Sequence, residues 1–260
     1  MIMQLYQIHG RHEPPINMKT KGSVKSKLSA KATKFVNSVL RLKPKLAVFD
    51  CDGTLWAGDA GERFFDWELK RGMVPDEIVR WARVRYDDYV AGKVSEDDMC
   101  AEMVTINRGL LEADVQRAAA EYFDANMLAQ IFPEMKKLVF RLQDAGCEVW
   151  AVSSTNEWVI RAAMEHFRIP TTQILAASVL IEDGKITDKL IRVPSGKGKP
   201  QAIYDVIART PDAVFGNSIW DAEMLEIAGH PFVINPTSEL EGLAEERQWP
   251  VYRPDPIPVS

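Results

Sequence analysis

Short apolar runs alternate with helical patterns along most of this 260-residue chain, and the rhythm breaks in one place. LAVFD, directly after Lys45, is a run of strand formers ended by acidic and glycine residues, which predicts a buried parallel strand. CEVWAVSS predicts a second strand, and ILAASVLIEDGKITDKLI predicts two more joined at Asp183-Gly184, a dipeptide suited to a tight hairpin. Ala213 to Phe215 and Phe232 to Ile234 read as further strands. Helical spacing separates them. Met135, Leu138, Val139 and Leu142 mark one helix stopped by Gly146, and others are expected over Trp158 to Phe167, Pro200 to Ala208, Ala222 to Ile227 and Ser238 to Gln248. This alternation implies an α/β fold, a mainly parallel sheet sandwiched by helices.

The break lies at residues 59–130, which contain successive helical patterns and no strand-like segment. Ile78, Trp81, Ala82, Tyr86 and Tyr89 recur at spacings of three and four, so one helix there is expected to bury an aromatic stripe. Ser95 followed by Asp98 resembles a capping box, and Gly109 is placed to stop the helix it starts. The expected organisation is a discontinuous core, residues 45–58 and 131–260, with an all-α insertion at 59–130 and a basic extension at 1–44.

Composition narrows the class. With 46% hydrophobic and 27% charged residues the chain is globular, and its longest uncharged apolar run, Ile174 to Ile181, is far short of the ~20 residues a membrane helix needs. Cys51, Cys100 and Cys147 are odd in number and form no CxxC pair, which argues against a disulfide framework and for a reducing, cytoplasmic setting. Net charge is −5, divided as +8 over residues 1–44 and −13 over the rest. The acidic body argues against nucleic acid as a partner. A basic helix is expected over Leu28 to Leu42; the preferred reading of the extension is a solvated segment with that helix docked, and an organelle transit segment has similar composition. His9, His12, His166 and His230 show no metal-ligand spacing.

Ligands gather at the carboxyl ends of parallel strands, and four such positions carry reactive groups. Asp50 and Asp52 end the first strand, with Gly53 turning the backbone away; being two apart, they face one side, where a cation or a proton must offset their repulsion. Asp50 could attack phosphorus while Asp52 protonates the leaving alcohol and later deprotonates water. Ser153 ends CEVWAVSS and offers a hydroxyl and an N–H to a phosphoryl oxygen. Lys197 or Lys199 precedes a helix that starts near Pro200, where a lysine neutralises charge developing on phosphorus. Asn217 and Asp221 follow a later strand, and with Asp50 and a main-chain oxygen near Asp52 they make an oxygen-ligand set suited to Mg2+.

These elements, in this order, resemble the haloacid dehalogenase superfamily through FDCDGTLW, VWAVSSTN, GKGKPQAI and FGNSIWDAEML, over Lys45 to Arg253. The insertion resembles the helical cap of the phosphoserine phosphatase-like branch. The resemblance implies a Rossmann-like core, a phosphoryl-accepting Asp50, an acid and base at Asp52, a phosphate contact at Ser153, the lysine at Lys199 and a magnesium site at Asp50, Asp52, Asn217 and Asp221. Many relatives carry an acid where Asn217 stands. Asp52 favours phosphatase over dehalogenase, since a dehalogenase has no leaving alcohol to protonate. No Cys followed six residues later by Arg, no GxSxG and no GxxxxGK[ST] is present.

A closing cap selects small molecules, so the expected partner is a small phosphomonoester. In WAGDAGERFFDWEL, Asp59 and Glu62 are expected at the pocket mouth beside Trp56, Phe64 and Trp67, an acid-plus-aromatic set that attracts ammonium groups, with Gly53 and Ser154 completing the substrate contacts. Phosphoserine, phosphocholine and phosphoethanolamine are the substrates this suggests; a substrate carboxylate would call on Arg83, Arg85 or Arg108. The alternatives are a phosphotransferase or mutase, and a catalytically quiet module that binds a phosphorylated ligand.

Overall fold

The computed structural model describes residues 28–257. Most of the basic extension, residues 1–27 with His9 and His12, lies outside the described residues. Among the described residues seven strands form one sheet: β1 (Leu46–Phe49), β2 (Glu148–Asn156), β3 (Ile174–Glu182), β4 (Lys185–Arg192), β5 (Ala213–Gly216), β6 (His230–Ile234) and β7 (Val251–Tyr252). Their order is β4-β3-β2-β1-β5-β6-β7, parallel throughout except for the β3–β4 hairpin. The fold is the expected α/β, Rossmann-like arrangement. The two-residue β7 had no counterpart in the sequence reading.

Alternation along the strands sorts the core onto two faces. Ala47, Phe49, Val149, Ala151, Phe215 and Phe232 face one way, against α1 (Ala30–Arg41), α6 (Pro133–Asp144) and α7 (Glu157–Glu165). Leu46, Val48, Trp150, Val152, Val214 and Val233 face the other, against α8 (Gly198–Val206), α9 (Ala222–Glu226) and α10 (Ser238–Arg247). Parallel strands covered on both sides need apolar residues at every position, and β1 and β5 are buried throughout. Phe49, Phe215 and Phe232 form a stacked ladder, with centroids 4.1 and 5.0 Å apart, across β1, β5 and β6. Ser29 caps α1 by accepting from the Ala32 N–H at 3.0 Å, and Phe35 of α1 stacks on Tyr252 at 3.8 Å.

Between β1 and β2 the chain runs through α2 (Ala60–Lys70), α3 (Asp76–Val90), α4 (Glu96–Thr105) and α5 (Glu112–Tyr122). Phe65, Leu69, Val74, Ala82, Val94, Met99 and Ile106 give this block a small core of its own, whereas Phe64, Val115, Ala119 and Tyr122 join the main core. Ser95 caps α4 as its sequence indicates, accepting from the Asp98 N–H at 3.1 Å. The aromatic stripe on α3 is narrower than expected. Ala82 is buried and Ile78, Tyr86 and Tyr89 pack beside it, but Trp81 is 46% exposed, because a residue one step from Ala82 is rotated about 100° off the inward face.

The β3–β4 turn uses Asp183 and Gly184, both at positive φ (50° and 74°), as a tight primed turn requires. The tip of this hairpin reaches the helical block. Gly109 N–H donates to Ile186 O at 2.8 Å, Ile186 N–H to Leu110 O at 3.0 Å, and Glu112 N–H to Gly184 O at 2.9 Å. Among the described residues no helix is long and apolar enough to cross a membrane.

Candidate active site

The carboxyl ends of β1, β2, β5 and β6 lie side by side, and the order reverses at β1, whose neighbours are β2 and β5. A crevice forms at such a switch point. Here it is a cleft of about 570 Å³, within the usual range for a small-molecule site, lined by Asp50, Asp52, Gly53, Ser153, Lys199 and Asn217 together with residues of the helical block.

Asp50 still pairs its N–H with Phe215 O at 2.9 Å, so its backbone is held by the sheet while its side chain enters the cleft. Oδ1 accepts from Lys199 Nζ at 2.7 Å and Oδ2 from Thr54 Oγ1 at 2.8 Å. Lys199 also donates to Asp221 Oδ1 at 2.5 Å, and all three charged groups are buried. Burial acts to neutralise the Lys199 ammonium, but Asp221 and Asp50 outweigh it and hold it charged. Burial first, and then the Asp221 charge, push the Asp50 carboxyl up to about 6, with Lys199 and Thr54 opposing. Of the two lysines left open by the sequence, Lys199 is the one in the cleft; Lys197 is exposed.

Asp52 is clamped from three directions. Oδ1 accepts from Trp56 Nε1 at 2.7 Å and from the Ala60 N–H at 2.5 Å, and Oδ2 accepts from Thr155 Oγ1 at 2.8 Å. Burial, followed by the nearby Asp59 charge, raises its carboxyl to about 8, with the Ala60 N–H and the Thr155 hydroxyl opposing, so the protonated form is favoured more than in an ordinary carboxylate. Gly61 makes room for this clamp: a Cβ there would lie 2.4 Å from Thr155 Oγ1. Ser153 lines the cleft and accepts from the Thr155 N–H at 3.2 Å, and Ser154 lies beside it at the rim.

The aromatic part of the expected pocket mouth is corrected. Trp56 does not reach the pocket mouth. It is fully buried against Phe123 (5.3 Å) and Phe167 (6.2 Å), because its large apolar ring gains more from the core, and only its N–H serves the site. Phe64 is likewise buried, and Trp67 packs against Tyr122. Asp221 is engaged by the protein itself, its Oδ1 accepting from Lys199 and its Oδ2 from the Asn217 and Ser218 N–H groups at 2.8 and 3.0 Å.

Asp59 caps α2, accepting from the Glu62 N–H at 2.7 Å, and lines the cleft; Glu62 does not line it and sits farther out. Asn217 lies on Gly53, where a Cβ would come within 1.9 Å of its Nδ2, and Gly53 holds φ +73°. Sequence reasoning missed Asn235, whose Nδ2 donates to Gly53 O at 3.4 Å, and Trp220 at the rim, 44% exposed. Asn235 ends β6, so the strand-end rule that found the others would have found it. Tyr89 and Glu96 also line the cleft.

Among the described residues no group of three His, Cys, Asp or Glu side chains is placed to hold a metal ion by itself. The donors present are of the kind Mg2+ takes: hard oxygens of Asp50 and Asn217 line one cleft where, among the described residues, Lys199 is the one cation, and this ion takes few carboxylates and keeps its waters.

Fold and cleft define a doubly wound, Rossmann-like α/β core with a buried acid–lysine–acid cluster. The chain belongs to the haloacid dehalogenase-like hydrolases, whose family model matches residues 47–226. It is 27% identical over 219 residues to the histidinol-phosphatase of Neisseria meningitidis, covering 79% of this chain and 97% of that protein. A Bordetella pertussis protein of unknown function superposes with a TM-score of 0.71 at 20% identity, covering 79% of this chain and 96% of its own. A phosphoserine phosphohydrolase-like protein of Francisella tularensis superposes with a TM-score of 0.56 at 17% identity, covering 81% and 95%.

Proposed function

We propose that the protein is a Mg2+-dependent phosphomonoesterase that works on a small phosphorylated metabolite through an aspartyl-phosphate intermediate. The observation that carries this reading is the pairing of a sheet-held Asp50, bonded to Lys199, with a separately clamped Asp52 whose carboxyl burial pushes up. Two carboxyls with divided roles are what nucleophilic and acid catalysis together need. The similarity to a histidinol-phosphatase supports the same class of reaction.

An Asp50 carboxylate oxygen attacks phosphorus, and the bond from phosphorus to the leaving oxygen breaks. Asp52 gives its proton to that oxygen. Water then attacks the acyl phosphate, Asp52 takes a proton from it, and inorganic phosphate leaves with Asp50 regenerated. Lys199 holds Asp50 in place and stabilises negative charge beside it. Ser153 and its neighbouring N–H groups receive phosphoryl oxygens. Held by Asp50, Asn217 and a main-chain oxygen near Asp52, Mg2+ would supply charge neutralisation for the phosphoryl group. The helical block acts as a cap over the cleft, and Asp59 at its entry favours a substrate with an ammonium group, such as phosphoserine, phosphocholine or phosphoethanolamine.

The test is phosphate release from a panel of small phosphomonoesters with Mg2+ or EDTA, wild type beside Asp50→Asn. Turnover that needs the metal and falls by about 1,000-fold or more in the variant is expected. Undiminished turnover in Asp50→Asn would overturn the mechanism, and transfer of phosphate to an added sugar hydroxyl instead of water would make the protein a phosphotransferase.

A further inference from the structure

A second chamber adjoins the catalytic cleft and shares part of its lining. Asp59, Tyr89, Glu96, Ser154 and Thr155 line both spaces, and Glu62, Tyr86, Cys100 and Met103 help close the far side. Its volume is about 70 Å³. A buried water takes about 10–15 Å³ of such space, so the chamber holds a few waters or one compact substituent and excludes a sugar or a peptide.

Its lining has a marked chemical bias. Asp59, Glu62 and Glu96 contribute carboxylates, Tyr86 and Tyr89 contribute phenols, and among the described residues no Lys, Arg or His lines it. The arginines that a substrate carboxylate would call on are engaged elsewhere. Arg85 bonds Glu102 at 2.8 Å, Arg108 bonds Asp188 at 2.8 Å, and Arg83 lies 3.8 Å from Asp66. Arg63 packs on Gly58 and directs Nη1 to Met127 Sδ at 3.8 Å.

Resting on the phosphomonoesterase reading, we propose that this chamber receives the leaving-group end of the substrate and selects a compact cation that carries no carboxylate, with Glu96 and Tyr89 as the specificity-determining residues. Tyr89 donates its hydroxyl to Glu96 Oε2, and Cys100 Sγ lies 3.5 Å from Oε1, so the carboxylate is held in one orientation at the junction of the two spaces. An ammonium group there meets a fixed carboxylate and a phenol ring. A carboxylate substituent would instead face three like charges with no cation to offset them, which rejects phosphoserine by repulsion. Phosphoethanolamine and phosphocholine types are accepted.

The experiment measures kcat/KM of the full-length protein with Mg2+ for phosphoethanolamine, phosphocholine, phosphoserine and glycerol 3-phosphate, and includes p-nitrophenyl phosphate as a general phosphatase probe. One of the carboxylate-free cationic substrates is expected to exceed both phosphoserine and glycerol 3-phosphate by about tenfold or more. Glu96→Gln and Tyr89→Phe should each reduce that selectivity ratio, Glu96→Gln by about tenfold and mainly through KM. Phosphoserine used as well as phosphoethanolamine, or an unchanged ratio in folded Glu96→Gln and Tyr89→Phe, overturns the selection. Failure to hydrolyse any member of the panel refutes the phosphatase reading instead. Calorimetric binding of phosphoethanolamine against glycerol 3-phosphate then decides the chamber's role, equal affinities refuting it.

Discussion

Replacing Glu68 by Gln should flatten the pH dependence of stability between about pH 6 and 8. Glu68 lies on α2 inside the helical block, fully buried, with the buried Asn107 side chain as its polar neighbour. Burial pushes its carboxyl from 4.5 to about 8, with Asn107 opposing, so the folded protein holds a proton there that the unfolded chain releases above 4.5. Stability from this group is therefore complete below 4.5 and is lost as the pH rises through 8. The slope is about 1.4 kcal/mol per pH unit, which over pH 6 to 8, with titration of the folded form near the upper end, amounts to about 2 kcal/mol. The assay is urea unfolding followed by tryptophan fluorescence at pH 6, 7 and 8. Asp50 and Asp52 also titrate, but they are shared by both proteins and cancel in the difference between wild type and Glu68→Gln. If that difference stays constant to within about 0.5 kcal/mol, the carboxyl is ionised and solvated, and the burial argument fails.

Two further changes probe the catalytic cluster. Lys199→Met leaves Asp50 and Asp221 buried without their shared cation, an unpaired-charge cost of about 3–5 kcal/mol; calorimetry should show a melting point lower by roughly 10 °C, partly restored by adding Asp221→Asn, and a wild-type melting point would show that the cluster contributes little. Trp56→Phe removes one of the donors to Asp52, so turnover of an alkyl phosphate, which needs a proton on its leaving oxygen, should fall about tenfold more than turnover of p-nitrophenyl phosphate, which does not; equal losses on both would mean a purely structural role.

The sheet was legible because its physics is local. Apolar runs such as LAVFD and CEVWAVSS, with punctuation after them, place strand ends within a residue or two, and parallel pairing then brings Asp50, Ser153 and Asn217 to one edge whatever lies between. The helical block was less legible for reasons that can be named. Helical periodicity defined a stripe on α3 but not its width, so Trp81 was grouped with Tyr86 and Tyr89 although it faces outward. Glu96 looks in sequence like any acid in a first helical turn, favoured there by the helix dipole, and only the tertiary fold carries it to the cleft. The orientation of single side chains was beyond reach in the same way: nothing in WAGD says that the Trp56 ring turns inward while its N–H serves Asp52, and nothing in GNSIWD says that both oxygens of Asp221 are taken.

The hairpin tip bears on how this molecule can open. A block hung on two strands of chain swings like a door, but here Phe64, Val115, Ala119 and Tyr122 are packed into the main core, and the α4–α5 connection is also stitched to Ile186 and Gly184 by main-chain hydrogen bonds. Those bonds make a third fastening at the far edge of the sheet. Swinging the whole block would tear them, whereas bending between α2 and α4 would leave them whole. A motion that keeps those bonds is therefore expected to be carried by α3, with the β3–β4 edge holding the α4–α5 connection to the sheet.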